Sequence, residues 1–212
     1  MRKIVIILLV LLLCGCSTYI DLDASLDEAF SKEHDTLNIR DNCAVTYYNY
    51  YLPSDMVEYD YKDNILLLGY KDSNIILNLN IPSIINEQYY TDYVAKDEGF
   101  FDEDKLVYSH TGTYSDIRNR EFDYFYRLYQ YDGRYLMHLM SRTVNIYSSC
   151  NKYDVVPISS KMLLLARTIK VDEDDVVTDY SAKEVIDYEK KQVNLFDLVV
   201  PVNGKVEELL ID

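Results

Sequence analysis

The dipeptide Asp132-Gly133 lies between two long runs of strand-forming residues, and this pattern predicts a β-hairpin with a two-residue type I′ turn. Such a turn fixes which residues of the two strands stand opposite each other. Leu128 is then opposite Met137, and Tyr126 is opposite Leu139, on the face we expect to be buried. Opposite-charge and apolar pairs across two strands stabilise a sheet. The hairpin therefore determines the register of two strands of the expected sheet.

The other face of this hairpin is expected to be mixed. The same register places Arg127 opposite His138, and it places Asp123 opposite Arg142. We expect Asp123 and Arg142 to form an ion pair across the two strands.

Further strand-like segments precede and follow this hairpin, and helical patterns come mostly later. Alternating or β-branched runs occupy residues 43–53, 56–61, 65–70, 75–81 and 144–149, and a short helix followed by a loop is expected within 83–105. Ser160 is the expected N-cap of a helix with an apolar stripe that ends at Ile169. Ser181-Ala182-Lys183-Glu184 fits a capping box before a second helix over 185–192, and residues 195–202 resemble a closing strand.

This order of elements favours an α+β fold, in which an antiparallel, hairpin-rich sheet is covered by C-terminal helices. A β-sandwich with peripheral helices is the alternative. The length of 212 residues suits one domain, which we place at residues 36–212. Only 6 Gly and 4 Pro occur, so no linker divides this domain.

The formal net charge of -15 argues against a nucleic-acid partner. A phosphate backbone is neutralised by clustered Lys and Arg, whereas here the basic residues are scattered among carboxylates.

The N-terminus has the layout of an export signal. Arg2 and Lys3 precede an unbroken apolar run of ten residues, 4–13, and the small-residue segment Cys14-Gly15-Cys16 follows. A helix of ten residues covers about 15 Å, roughly half of a hydrocarbon core. The run is therefore too short to span a membrane.

Leu13, Gly15 and Cys16 match the lipobox, and in these residues the chain resembles bacterial lipoproteins. The resemblance implies that residues 1–15 are a signal peptide and that Cys16 carries a diacylglycerol anchor. It also implies a location on the extracytoplasmic face of the cell membrane. Two acyl chains hold a protein stably on a bilayer, and we expect no membrane contact other than this anchor.

Residues 16–35 are interpreted as an acidic tether. Ser25-Leu26-Asp27-Glu28 fits a capping box, and Leu22, Leu26, Ala29 and Phe30 share one helical face. A helix this short is marginal alone. It either docks on the domain or is a flexible stalk.

Two cysteines remain in the domain, Cys43 and Cys150. In an exported protein such a pair could form a disulfide, and the alternative is two separate buried thiols. No C-x-x-C spacing supports thiol exchange or a structural zinc site.

Motifs for catalysis are weak. Of three histidines, His110 lies in the polar segment 109–116, which contains Ser109 and Asp116, and we interpret this segment as a loop between strands. The acidic runs 102–104 and 172–175 lack calcium-loop spacing and are interpreted as solvated turns. We expect no metal and no cofactor.

Tyrosine is abundant, with 22 residues and no Trp. Tyr suits recognition surfaces, but in alternating strands half of these side chains should face the core. The leading hypothesis is a non-enzymatic module that binds a peptide, a glycan or an envelope protein through a Tyr-rich sheet face. The alternative is a cell-envelope hydrolase with a site built from carboxylates and His110.

Overall fold

The structure, a computed structural model, describes residues 21–62, 64–89 and 101–181. The helices in these ranges are α1 (Leu22–Phe30), α2 (Ile81–Tyr89), α3 (Val155–Thr168) and α4 (Glu173–Ser181). The strands are β1 (Cys43–Ala44), β2 (Tyr48–Tyr50), β3 (Val57–Lys62), β4 (Ile65–Tyr70), β5 (Ser73–Leu79), β6 (Leu106–Ser115), β7 (Glu121–Tyr131), β8 (Arg134–Ser141), β9 (Val144–Cys150) and β10 (Lys170–Val171).

Seven strands form one antiparallel sheet in the order β3-β4-β5-β9-β8-β7-β6. A smaller antiparallel sheet has the order β1-β2-β10. Helices α1 and α3 pack together, and α3 lies against β8 and β9. The α+β prediction is confirmed, and the N-terminal helix α1 shares the covering role that we expected of C-terminal helices alone.

The central hairpin has the predicted register. Leu128 pairs with Met137 and Arg127 with His138, and φ is +42° at Asp132 and +89° at Gly133, as a type I′ turn requires.

The expected ion pair of the hairpin is wrong. The ladder begins at Tyr124 and Ser141, and Arg142 instead donates to Glu87 Oε2 at 2.6 Å and to Glu173 Oε1 at 2.5 Å. Register alone did not place these two carboxylates, which come from helices distant in sequence.

Helix α1 docks on the domain, since Leu26 and Phe30 are buried. Its N-cap is Asp21, whose carboxylate accepts from Ala24 N at 3.2 Å, so the capping box expected at Ser25 is wrong. Ser25 Oγ donates to the Asp21 carbonyl from inside the first turn.

Helix α3 begins at Val155, five residues before the expected cap. Ser160 is internal and donates to the Val156 carbonyl at 3.1 Å. Pro157 does not prevent this earlier start, because proline is tolerated in a first helical turn, where the amide hydrogens have no partner within the helix.

The acidic run 172–175 is not a solvated turn but the start of α4. Asp172 Oδ1 accepts from Asp175 N at 3.3 Å, and carboxylates at a helix N-terminus interact favourably with its dipole. Ser181 ends α4. The helix expected over 185–192 and the strand expected over 195–202 lie outside the described residues.

Of the 17 tyrosines whose side chains the structure describes, ten are buried, and Tyr59 and Tyr153 expose more than half of their surface. The buried ones are Tyr47, Tyr48, Tyr50, Tyr70, Tyr114, Tyr124, Tyr126, Tyr129, Tyr135 and Tyr180. This burial favours the interpretation of Tyr as a core-facing strand residue over that of a Tyr-rich recognition face.

No helix within residues 21–62, 64–89 and 101–181 is long and apolar enough to cross a membrane.

Candidate ligand-binding cleft

A polar cleft of about 520 Å³ lies beside the small sheet. It is lined by residues 45–49, by Arg118 and Arg120 in the turn between β6 and β7, by Arg142 after β8, and by residues 170–175. A cleft of this volume is within the size range of small-ligand sites.

The turn between β6 and β7 is built around Asp116, which is 4% exposed. Its Oδ1 accepts from Arg118 N and from Arg120 N, both at 2.8 Å, and its Oδ2 accepts from Arg120 Nε at 2.8 Å. One buried carboxylate therefore fixes the backbone that carries both arginines into the cleft.

Phe122 orders two of the cleft's guanidinium groups. Those of Arg120 and Arg142 lie 5.0 and 5.1 Å from its ring centroid, within cation–π range. Each is also bonded to carboxylates, Arg120 to Asp116 and Arg142 to Glu87 and Glu173.

Lys170 is also paired. Its Nζ donates to Asp41 Oδ1 at 2.5 Å, and this hydrogen bond holds the pKa of Asp41 below its usual range, with a smaller contribution from the charge of Arg118.

Arg118 differs from the other three cations of the cleft. Its side chain is exposed, and within the described part of the chain no carboxylate forms an ion pair with it. The chain has a net charge of -15, yet this arginine at the cleft has no carboxylate partner. Its guanidinium N–H groups are therefore available to donate to an anionic ligand group.

Carboxylates also line the cleft. Glu173 is bonded to Arg142, while Asp174 and Asp175 are exposed at the start of α4 and form no ion pair with any described residue. Asp172 also lines the cleft and forms no ion pair with any described residue, so the cleft presents one cation and three carboxylates without an ion-pair partner.

A second cluster surrounds Glu33, which follows α1. Glu33 Oε2 accepts from Tyr124 OH at 2.6 Å and lies 3.6 Å from His110 Nε2. Glu33 Oε1 lies 3.7 Å from His34 Nε2, and His34 Nδ1 is 3.2 Å from Ser115 Oγ. Groups of acid–base character therefore meet here, at the junction of the tether and β6.

Gly112 allows this cluster to form. A Cβ at Gly112 would lie 2.8 Å from Glu33 Oε2 and 3.1 Å from His110 Nε2. A side chain at this position would displace the carboxylate that the two histidines share.

The interpretation of 109–116 as a loop is wrong, because residues 106–115 form strand β6 paired with β7. Ser109 and His110 therefore point to opposite faces, and Asp116 is engaged in the turn of the cleft. The carboxylate partner of His110 is Glu33, which sequence spacing could not indicate.

The remaining predicted positions fall as follows. Cys16 lies outside the described residues, and Cys43 and Cys150 are free thiols, half-buried and buried respectively. Burial raises the pKa of Cys150 to about 12. Asp102 caps a 3₁₀ turn over Glu103–Lys105. Among the described residues, no three His, Cys, Asp or Glu side chains are grouped so as to hold a metal ion.

The cleft was not predicted from the sequence. The sequence pattern that marks this cleft is Arg118-Asn119-Arg120, which begins two residues after Asp116. Most other basic residues of the chain are scattered singly.

No family model and no curated protein matches the chain. A crystal structure of a protein from Bacteroides thetaiotaomicron VPI-5482 is similar over 73% of this chain and 56% of that one, with 14% sequence identity and a TM-score of 0.31. The chain thus spans a little over half the length of that protein, and a likeness of this extent carries no argument about function.

Proposed function

We propose that the protein is a lipid-anchored extracytoplasmic binding module whose cleft takes up a short peptide. The observation that carries the proposal is Arg118, an arginine without a carboxylate partner at a cleft of about 520 Å³ in a strongly acidic chain. Because ten of the 17 described tyrosines are buried, the proposed binding surface is this cleft and not the Tyr-rich sheet face.

A peptide suits the cleft better than a glycan because a peptide with free ends carries both charges. Its carboxylate would bind Arg118, and its ammonium group would lie near Asp174 and Asp175. A hydrogen bond between ionised partners is about twice as strong as a neutral one, so a neutral sugar would leave these charges unused.

Calorimetry with the detergent-solubilised lipoprotein tests this function. We expect trialanine with free ends to bind, and we expect its N-acetylated, C-amidated form to bind at least tenfold more weakly. Arg118→Gln should weaken binding of the free peptide by roughly tenfold or more, a loss of about 1.4 kcal/mol or above.

The matched control is Arg40→Gln, since Arg40 is exposed and does not line the cleft. Equal affinities for the free and the capped peptide, or equal losses in the two variants, would reject the proposed ligand.

The anchor is tested separately by metabolic labelling with an alkyne-tagged fatty acid. Cys16→Ser should abolish the label, whereas Cys14→Ser should keep it, because Cys14 leaves with the signal. Loss of label in Cys14→Ser alone would place the acceptor at Cys14 instead.

Hydrolysis is the second candidate function, and the cluster around Glu33 is the observation that favours it. A carboxylate shared by two histidines could exchange protons with a substrate, and removal of a general acid–base group costs about 10²- to 10⁴-fold in rate. Glu33→Gln should then abolish turnover of fluorogenic esters and cell-wall fragments, while Glu28→Gln, at an exposed position of α1, should not. Absence of turnover by the unaltered protein would reject this candidate.

A further inference from the structure

Helix α1 is packed firmly on the domain. Leu26 is 0% exposed and Phe30 is 1% exposed. The Phe30 ring stacks on His110 at a centroid distance of 4.8 Å and contacts the Tyr126 ring at 4.7 Å. A helix of 9 residues is too short to be stable alone. Helix α1 is therefore held by the packing of these two buried side chains and not by its own helix propensity.

Hydrogen bonds from the sheet add to this packing. Tyr108 OH donates to Asp27 Oδ1 at 2.6 Å, and Tyr124 OH donates to Glu33 Oε2 at 2.6 Å. These bonds join the middle of α1 to β6 and the turn after α1 to β7.

The turn that follows α1 is fixed by Arg167, a buried residue near the end of α3. Its guanidinium donates to the Ser115 carbonyl at 2.9 Å, to the Lys32 carbonyl at 2.7 Å, and to the Asp35 carbonyl. Ser115 N in turn donates to the Glu33 carbonyl at 3.1 Å. One side chain therefore joins the turn, the end of β6 and helix α3.

We propose that α1 is a rigid strut that holds the domain close to the bilayer, and this inference rests on the proposed lipid anchor at Cys16. Five residue steps separate Cys16 from the helix cap Asp21. At about 3.3 to 3.6 Å per residue they span at most about 18 Å. If α1 and the turn after it were detached from the domain, the nineteen residue steps from Cys16 to Asp35 would let the domain lie up to about 65 Å from the anchor.

The strut also orients the domain. The anchor joins the N-terminal end of α1, while Arg167 joins the C-terminal turn to residues 115–117, since Ile117 N donates to the Arg167 carbonyl at 3.1 Å. Arg118 is the next residue. One wall of the cleft, at Arg118, therefore lies beside the C-terminal turn of α1, whereas the anchor connects to the N-terminal end of the helix.

Time-resolved energy transfer tests the strut, with the lipoprotein in phosphatidylcholine vesicles that carry acceptor-labelled headgroups. A donor is attached at Asp23→Cys or at Arg118→Cys in a Cys43→Ser background, because Cys150 is buried. We expect a narrow distance distribution for each donor, with the donor at position 23 closer to the acceptors than the donor at position 118.

The matched variant carries a ten-residue Gly-Ser insertion after Thr18, which lengthens the connection and leaves the described fold untouched. Transfer from position 23 should then fall by at least half and its distribution should broaden. Equal transfer with and without the insertion, or a broad distribution for the unextended protein, would overturn the strut while leaving the anchor intact. Failure of the unaltered protein to float with the vesicles would overturn the anchor and the strut together.

Discussion

Arg167 is the residue on which the junction between tether and domain depends most. It is 4% exposed and donates to three carbonyls from two segments. Hydrogen bonds from a charged donor contribute about 1.5 to 3 kcal/mol each, and buried carbonyls without a donor are costly. Arg167→Met should therefore lower the free energy of unfolding in urea by about 3 kcal/mol or more.

The same substitution should expose the turn to protease. Trypsin cleavage after Lys32 should become faster in the variant, because the Lys32 carbonyl loses its donor. Arg40→Met, at an exposed position, is the control and should change stability by less than about 0.5 kcal/mol. A similar loss in both variants would contradict the role given to Arg167.

The two cysteines should differ in reactivity. Only a thiolate reacts readily, and burial raises the pKa of Cys150 to about 12, so Cys150 is protonated at neutral pH. Maleimide labelling of the native protein at pH 7.5, followed by mass spectrometry, should modify Cys43 long before Cys150, and both should react in denaturant. If neither reacts until a reductant is added, the two are joined by a disulfide.

At the scale of single elements, the hairpin turn depends on Gly133. With φ at +89°, an L side chain is strained there even though a Cβ would have no heavy atom within 4 Å. Gly133→Ala should cost about 1 to 2 kcal/mol in urea unfolding for conformational reasons alone. Asp132→Asn should be neutral within about 0.5 kcal/mol, because Asn also adopts positive φ, and an equal cost for both would contradict the assigned turn.

Helix α1 offers a second test at this scale. Phe30→Ala removes a fully buried ring and should destabilise the domain by about 3 to 5 kcal/mol. Leu22→Ala, at a half-buried position of the same helix, should cost less than about 1.5 kcal/mol. A small effect of Phe30→Ala on the main unfolding transition would mean that α1 is not part of the domain.

Elements with strong local signals were predictable, and those that depend on distant contacts were not. Asp132-Gly133 determines its own turn and register, so the register of the hairpin was predicted correctly, although the ion pair expected at its open end was wrong. From Tyr108 to Ser115, strand β6 alternates Ser and Thr with Tyr, His and Gly, and this polar composition resembles a loop until β7 supplies its hydrogen bonds. The start of α3 was missed for a related reason, since β-branched residues there favour strand locally and packing against β8 and β9 decides the outcome.

At the scale of the whole molecule, the fold class followed from the order of the elements, but the site did not. The cleft is assembled from four places that are remote in sequence, namely residues 45–49, the turn after β6, the end of β8 and the junction of β10 with α4. Likewise Glu33 and His110 lie close together in the fold although they are 77 residues apart in sequence. The charge composition indicated an acidic domain. Only the fold showed that Arg118, Arg120, Arg142 and Lys170 line the same cleft.

The central claim is that Arg118 receives the ligand in this cleft, and side-chain nuclear magnetic resonance tests it most directly. The ¹⁵N–¹H signals of the arginine Nε groups would be followed during a titration with trialanine. The account predicts that the Arg118 signal shifts in a saturable way while the Arg40 signal does not. A titration that leaves Arg118 unmoved, or that moves Arg40 equally, would contradict it.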